Sequence, residues 1–477
     1  MKNYSLRKTE ILATSEQNAA GREEFWRRAE FFHEEDLRYL RFLIPEGLRV
    51  LELGCGIGNT LAGLKPSFGL GVDFSPAMIE QARRLHPDLQ FEVGDVEDPE
   101  FLASLPGPFD VILVVDTIGS LDDCQAMFEA LHGLCSRETR LVVVYYSHLW
   151  DPLIRLAEWI GWRARQPEQN VFSPADIHAL ANLSDFEVIK AECRLLSPLR
   201  LLGIGSLINR FISILPLIRH LSLRHYSVCR SLRKTHDNIR SASVVIPARN
   251  ERGNIEAAIK RMPRFCDDLE IIFVEGHSSD GTPVEIKRVA EAYSDLDIKV
   301  MTQPGKGKAD AVFAGFNAAR GDVLMILDAD LTMPPEQLPK FWRSIAGGKG
   351  EFINGTRLVY PMEEGAMQFL NLIANKVFSL LFSWLLNQRF TDTLCGTKVL
   401  RRSDYKRLLA GRSYFGDFDP FGDFDLIFGA TKLNLRCVEV PIRYSARTYG
   451  ETQISRFRHG LLLIRMVIFA FFRIKAF

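Results

Sequence analysis

Asp328 and Asp330 stand two residues apart where the apolar run DVLMIL ends. Two carboxylates so placed either face water on a turn or share a cation. A divalent ion between them can also take the oxygens of a diphosphate. Without one, their repulsion would raise one of the two pKa values. Lys306 and Lys308 precede them in QPGKGKA, among glycines and ahead of a helical stretch, as a phosphate-facing loop would be. A second group of acids, Asp417, Asp419, Asp423 and Asp425, is interleaved with Phe and Gly. Transfer to a hydroxyl needs a general base, and Asp423 or Asp425 fits that role; a phosphate acceptor is already anionic and needs none.

Different chemistry is written near the N-terminus. In VLELGCGIGNT, Gly54, Gly56 and Gly58 follow a strand-like run and precede a helix start. Glycines there let the backbone approach a ligand and turn tightly. Asp73 ends the next apolar run, where an acid can bond ribose hydroxyls. Asp95 ends the third, placed to accept from an adenine amino group, and Asp116 ends the fourth.

The elements that must position these residues come in two series. RVLEL, GLGV, LQFEV, FDVILVV and TRLVVVYY alternate with helical patterns in the first; ASVVIPA, EIIFV, IKVM, DVLMIL and EFIN do so in the second. Strands spaced by helices imply βαβ units and mostly parallel sheets. The loop motifs of the two series differ, so the expectation is two tandem doubly wound α/β domains and no internal repeat.

Over residues 25–195 these motifs resemble class I S-adenosylmethionine-dependent methyltransferases. The resemblance implies a seven-stranded Rossmann-like sheet that binds S-adenosylmethionine. Glu52, Gly54 and Gly56 would lie near its methionine end, Asp73 on the ribose, and Asp95 with Val96 near adenine. Tyr145, Tyr146 and His148 then face the acceptor side, with His148 as candidate base. Methyl transfer from a sulfonium needs proximity more than a dedicated nucleophile. The aromatic and basic cap at 150–174 suits an apolar or anionic acceptor.

Residues 241–460 resemble glycosyltransferase family 2, and within it the polyprenyl-phosphate sugar synthases. The motifs run in order: VVIPARNE, VEGHSSDGT, GKGKA, DAD, DTLCGTKVL and VPIRYSARTYGETQ. The resemblance implies a GT-A-like domain with a nucleotide-sugar on Pro247, Arg249, Asn250, Glu251, Glu275, Asp280 and Lys306. It puts Mg²⁺ or Mn²⁺ on Asp328 and Asp330, and Arg357 and Arg447 as clamps on phosphate, which the guanidinium fork matches bidentately. Three positions depart from the family pattern: Gly276 follows Glu275, Thr332 replaces an amide after the DAD, and Thr452–Gln453 replaces Ser–Lys.

Composition bounds the rest. With 59 basic and 59 acidic side chains in 477 residues, the chain is formally neutral, which argues against a general nucleic-acid binder. Eight scattered cysteines form no CxxC and no zinc spacing, so a reducing, cytoplasmic setting is expected. Residues 194–240 hold nine Lys/Arg and one acid, with the apolar stretch LLGIGSLINRFISILPLIRHL, as in an interfacial helix. The end of the chain, from 454, has five Lys/Arg, no acid and the same character. The divisions expected are a methyltransferase domain (1–195), a basic amphipathic linker (196–240), a glycosyltransferase domain (241–453) and a membrane-surface amphipathic tail (454–477). Together they describe a bifunctional enzyme, peripheral on the cytoplasmic face of a membrane. It would transfer sugar from a nucleotide-sugar to polyprenyl phosphate and methylate a second acceptor, in cell-envelope glycan or glycolipid synthesis. The alternative is glycosyl transfer to a sugar or lipid hydroxyl, with the methyltransferase domain a silent docking module.

Overall fold

A computed structural model of the chain describes residues 4–161, 167–236, 238–360, 369–414, 422–447, 449 and 456–477. They fall into two compact units, Met1–Thr235 and His236–Lys475.

The first unit is built on β1 (Arg49–Leu53), β2 (Phe68–Asp73), β3 (Gln90–Val93), β4 (Phe109–Val115), β5 (Cys135–Tyr146), β6 (Phe186–Arg194) and β7 (Arg224–Ser231). The sheet order is β3-β2-β1-β4-β5-β7-β6. The first five strands are parallel, and β7 runs antiparallel to both β5 and β6. Helices cover both faces, which is why β1 and β4 are near-continuous apolar runs. Leu51 pairs in register with Leu70 and Ile112, and all three are buried in one core with Val143 and Phe186.

The first unit continues well past residue 195. Residues 224–231, inside the expected linker, form the interior strand β7. The apolar stretch before it is not one amphipathic helix either. It is a chain of short turns: Leu201–Gly203, Ile204–Leu207, Ile208–Ile212 and Ile218–Leu221. Gly203 takes a left-handed φ of 95°, and a Cβ on Gly205 would lie 2.0 Å from the Leu199 carbonyl oxygen, so the chain folds back on itself there.

The second unit holds β8 (Ser241–Ala248), β9 (Asp268–Glu275), β10 (Asp297–Thr302), β11 (Val323–Ile326), β12 (Phe352–Thr356), β13 (Lys398–Arg401) and β14 (Cys437–Pro441) in the order β10-β9-β8-β11-β13-β12-β14. β8 to β11 are parallel; β13 reverses direction between β11 and β12. Both sheets are thus mixed α/β sheets of seven strands, as the Rossmann-like and GT-A expectation requires. Among the described residues no helix is long and apolar enough to cross a membrane. The helix Arg456–Ala470 buries Leu463, Met466 and Ala470 while Leu461, Ile464 and Ile468 stay exposed.

Candidate active sites

In the first unit the six expected cofactor residues, Glu52, Gly54, Gly56, Asp73, Asp95 and Val96, line one cavity of about 850 Å³. Parallel-sheet topology brings them together, since each lies at or just beyond the C-terminal end of a neighbouring strand. Gly54 has φ 74°, and a Cβ there would collide with the Thr117 side chain at 2.1 Å, so the turn after β1 admits only glycine. The Gly56 and Ser75 amides donate to the two oxygens of Asp73, at 2.9 and 3.0 Å. Burial raises the Asp73 carboxyl above its ordinary value, against those two bonds. Glu52 accepts from the Leu61 amide at 3.0 Å. Burial first, then the charges of Asp73 and Asp116, push its pKa up to about 8. Asp95 is already engaged: Lys8 donates to it at 2.7 Å and to Glu97 at 2.6 Å.

A charged cluster beside the cavity is not marked in the sequence. Arg224 of β7, fully buried, is held by Asp36 at 3.0 Å and by Asp116, and lies 4.5 Å from the Tyr146 ring. Asp116 sits at a left-handed φ of 56°, a strain that marks functional turns. His33 stacks on Trp26 at 3.5 Å. Burial and then Arg224 push its pKa down to about 3, so its imidazole is neutral. Tyr145, Tyr146 and His148 line an adjoining cavity of about 470 Å³ that shares Asp116.

In the second unit Asp328 follows β11 and meets Lys308 at 2.7 Å. Burial opposes ionisation of Asp328, but the Lys308 ammonium outweighs it and holds the carboxyl below its usual range. Asp423 stands 3.9 Å from both Lys308 and Lys398. Asp425 belongs elsewhere. Two residues on along the helix Asp423–Lys432 it pairs with Arg412 at 3.0 Å, so only Asp423 shares the Asp328 site. Asp417 and Asp419 lie outside the described residues, as do Thr452 and Gln453. Asp330 accepts from Arg447 at 2.6 Å and from the Thr332 hydroxyl at 2.8 Å. Arg447 also reaches Glu251 at 3.3 Å. The loops after β8 and β9 are tied together: Asn250, at φ 55°, donates its amide to Ser278 and accepts from the Ser279 amide. Glu275 accepts from the Ser278 amide at 2.6 Å, and Asp280 from those of Thr282 and Arg252. Pro247, next to last in β8, pairs with Val274, and Arg249 and Lys306 are exposed. Arg357, expected to clamp phosphate, instead grips Asp392 bidentately at 2.6 and 2.8 Å. Asn375 bonds the same carboxylate at 3.1 Å, which accounts for one amide that interrupts the apolar helix Phe369–Leu386.

Asp328 and Asp330 offer hard oxygen donors that suit Mg²⁺ or Mn²⁺. The backbone also leaves room: a Cβ on Gly396 would fall 2.0 Å from an Asp328 oxygen, space that only glycine keeps open beside the carboxylate.

Residues 243–409 match the profile of glycosyl transferase family 2, and residues 25–191 match a methyltransferase domain. The chain is 27% identical over 221 residues to the undecaprenyl-phosphate 4-deoxy-4-formamido-L-arabinose transferase of Edwardsiella ictaluri, covering 45% of this chain and 63% of that protein. The Proteus mirabilis protein of the same name is 26% identical over 227 residues, covering 46% and 65%. The chain therefore spans a little under two thirds of the curated relatives it matches. Among solved structures, a SAM-dependent methyltransferase from Thermotoga maritima aligns at 18% identity and TM-score 0.35, over 46% of this chain and 99% of that one. Glucosyl-3-phosphoglycerate synthase from Mycobacterium tuberculosis aligns at 20% and 0.37, over 49% and 78%. The chain thus carries, in tandem, a region that matches a methyltransferase domain and a region that matches glycosyl transferase family 2.

Proposed function

We propose that the second unit transfers a sugar from a nucleotide-sugar to undecaprenyl or a similar polyprenyl phosphate, with a divalent metal on Asp328 and Asp330. The first unit methylates a second acceptor with S-adenosylmethionine. The observation that carries the first half is the pairing of Lys308 with Asp328 and of Arg447 with Asp330, on relatives named for polyprenyl-phosphate transfer. Two carboxylates that follow β11, each paired with a cation from another element, form a site able to exchange those cations for a metal and diphosphate. A bound metal would offset the charge that builds on the leaving diphosphate. Lys308 and Arg447, released from their carboxylates, would turn to phosphate oxygens. The acceptor phosphate oxygen forms the new bond to the anomeric carbon as the bond to the nucleoside diphosphate breaks. A phosphate needs no base, so Asp423 would orient Lys308. A hydroxyl acceptor is the second reading; it is favoured by the position of Asp423 within reach of two lysines beside Asp328.

The exposed Leu461, Ile464, Ile468 and Phe472, with Arg465 and Arg473, support a tail that lies on the cytoplasmic membrane surface. The same helix buries its other side, so it serves core and surface at once. The test is product mass spectrometry. The chain is supplied with undecaprenyl phosphate, a panel of nucleotide-sugars and Mn²⁺. A glycosylated undecaprenyl phosphate that vanishes in EDTA is expected. Sugar found only on hydroxyl acceptors would refute the phosphate reading.

A further inference from the structure

The methyltransferase cavity has two kinds of wall. Its floor is the polar loop set around Glu52, Gly54 and Asp73, while Phe25, Trp26, Phe32 and Trp150 line the other side. At its edge stand Leu153, Leu156, Ile160 and Leu199. All four line the cavity, yet are 44–54% exposed, so the opening itself is apolar. The apolar surface continues outward. Trp159 is 76% exposed, Leu202 is fully exposed, and Ile204, Leu207, Leu217 and Leu221 are all more than half exposed. These are not stray residues on separate elements. The Trp150 indole donates to the Leu221 carbonyl at 2.8 Å, and Trp150 and Ile154 pack on Leu195 and Leu223. The start of the helix Asp151–Trp159 is thus tied to the end of the 199–221 turns, and both border the opening, the second through Leu199.

Soluble surfaces seldom carry apolar area so concentrated without a use for it. Charge narrows the occupant. Residues 199–221 contain Arg200, Arg210 and Arg219 and no carboxylate. On the facing helix Arg155 pairs with Asp151 at 2.8 Å and Glu158 adds one acid, while Arg200 pairs with Glu34 at 2.9 Å, so these groups together leave a small net positive charge, carried by Arg210 and Arg219. An apolar lip with a net basic margin fits an anionic lipid surface: arginines stay at headgroup level while Leu and Trp enter the acyl boundary.

We propose that the opening of this cavity docks on an anionic membrane, and that the methyl acceptor is a lipid or lipid-linked molecule drawn from it. This rests on the reading of the cavity as the S-adenosylmethionine site. In the reaction the methyl carbon leaves the sulfonium sulfur, which keeps the bonding pair. The acceptor's lone pair makes the new bond and its proton departs. A lipid-borne nucleophile would reach the polar floor while its chains stay along Leu153, Leu156 and Leu199.

The full chain is mixed with 3:1 phosphatidylcholine–phosphatidylglycerol vesicles that carry acyl-brominated lipid, and tryptophan quenching is compared with Trp159→Phe. Loss of at least half the quenching in the variant is expected. Equal fractional quenching in the two proteins overturns the docking. Binding of S-adenosylhomocysteine, followed by calorimetry, should agree within twofold between them; if neither protein binds it, the cofactor reading fails rather than the docking. In a second arm, S-adenosyl-[methyl-³H]methionine is added with membranes and cytosol from the source cells. Tritium should appear in the chloroform–methanol extract; tritium confined to water-soluble products overturns the acceptor class.

Discussion

Glu52→Gln should flatten a large part of the pH dependence of the first unit. In the cofactor-free fold Glu52 is buried and its pKa is pushed up to about 8 from an ordinary 4.5. A raised folded-state pKa means that the folded chain holds the proton more tightly than the unfolded one. Its stabilisation is therefore complete below the unfolded value and is lost as pH rises toward the folded one. At about 1.4 kcal/mol per unit, the linkage integrates to about 3.5 kcal/mol between pH 5 and pH 8. Glutamine keeps an oxygen for the Leu61 amide but cannot titrate. Native-state hydrogen exchange of amides in β1 and the helix Asn59–Gly63, corrected for intrinsic rates, follows this unit alone. The wild type should lose about 3.5 kcal/mol more protection than the variant over that range. Parallel curves would mean that Glu52 is already ionised in the empty fold, and the account of its burial would be wrong.

Asp330→Asn should cut metal-dependent sugar transfer by about 10²–10³-fold while S-adenosylhomocysteine affinity stays put; full activity, or equal activity in EDTA, refutes the metal assignment. Gly396→Ala should cost about 10²-fold in sugar transfer, because the Asp328 carboxylate must move by about 1 Å; an unchanged rate would place that carboxylate away from the chemistry. Asp73→Ala should weaken S-adenosylmethionine binding by about 1.5–3 kcal/mol, read by calorimetry. In flotation with anionic vesicles, the full chain should float better than one ending at Arg458, and less well in high salt; equal flotation of both would shift the anchor away from the tail.

The parts legible in the sequence are those that sit at the ends of parallel strands. Gly54, Asp73, Asp95 and Asp328 each come at the end of an apolar run; the topology alone gathers the first three along one edge of the first sheet and sets Asp328 at the end of β11 in the second. Pairings set by tertiary closure were not legible. Nothing near Arg357 marks Asp392 as its partner, and the Arg447 motif does not announce that one guanidinium spans Glu251 and Asp330. Asp423 and Asp425 look alike in the sequence, but two positions apart on one helix they face nearly opposite sides and meet different cations. Arg224 read as one more basic residue of a linker, because a buried charge is recognisable only once Asp36 and Asp116 surround it. β13 runs antiparallel between β11 and β12, so the alternation of parallel strands and helices does not mark it.

The place of β7 sets a timetable for synthesis. β6 bonds to nothing in its sheet except β7, and β7 reaches β5 only after a further 30 residues beyond Arg194 have been made, counting to Arg224. A nascent chain that has emerged only as far as β6 carries a five-stranded sheet with an open, apolar edge at β5. Arg224 arrives on that same late strand, so Asp36 and Asp116 wait without their cation until then. Domains fold as units while the ribosome adds about 5–20 residues each second. The exposed edge therefore persists for seconds, a window in which a chaperone would bind this protein. A stop codon or gene fusion placed at residue 195 would freeze the chain in that state, whereas one placed after Thr235 would release a finished sheet.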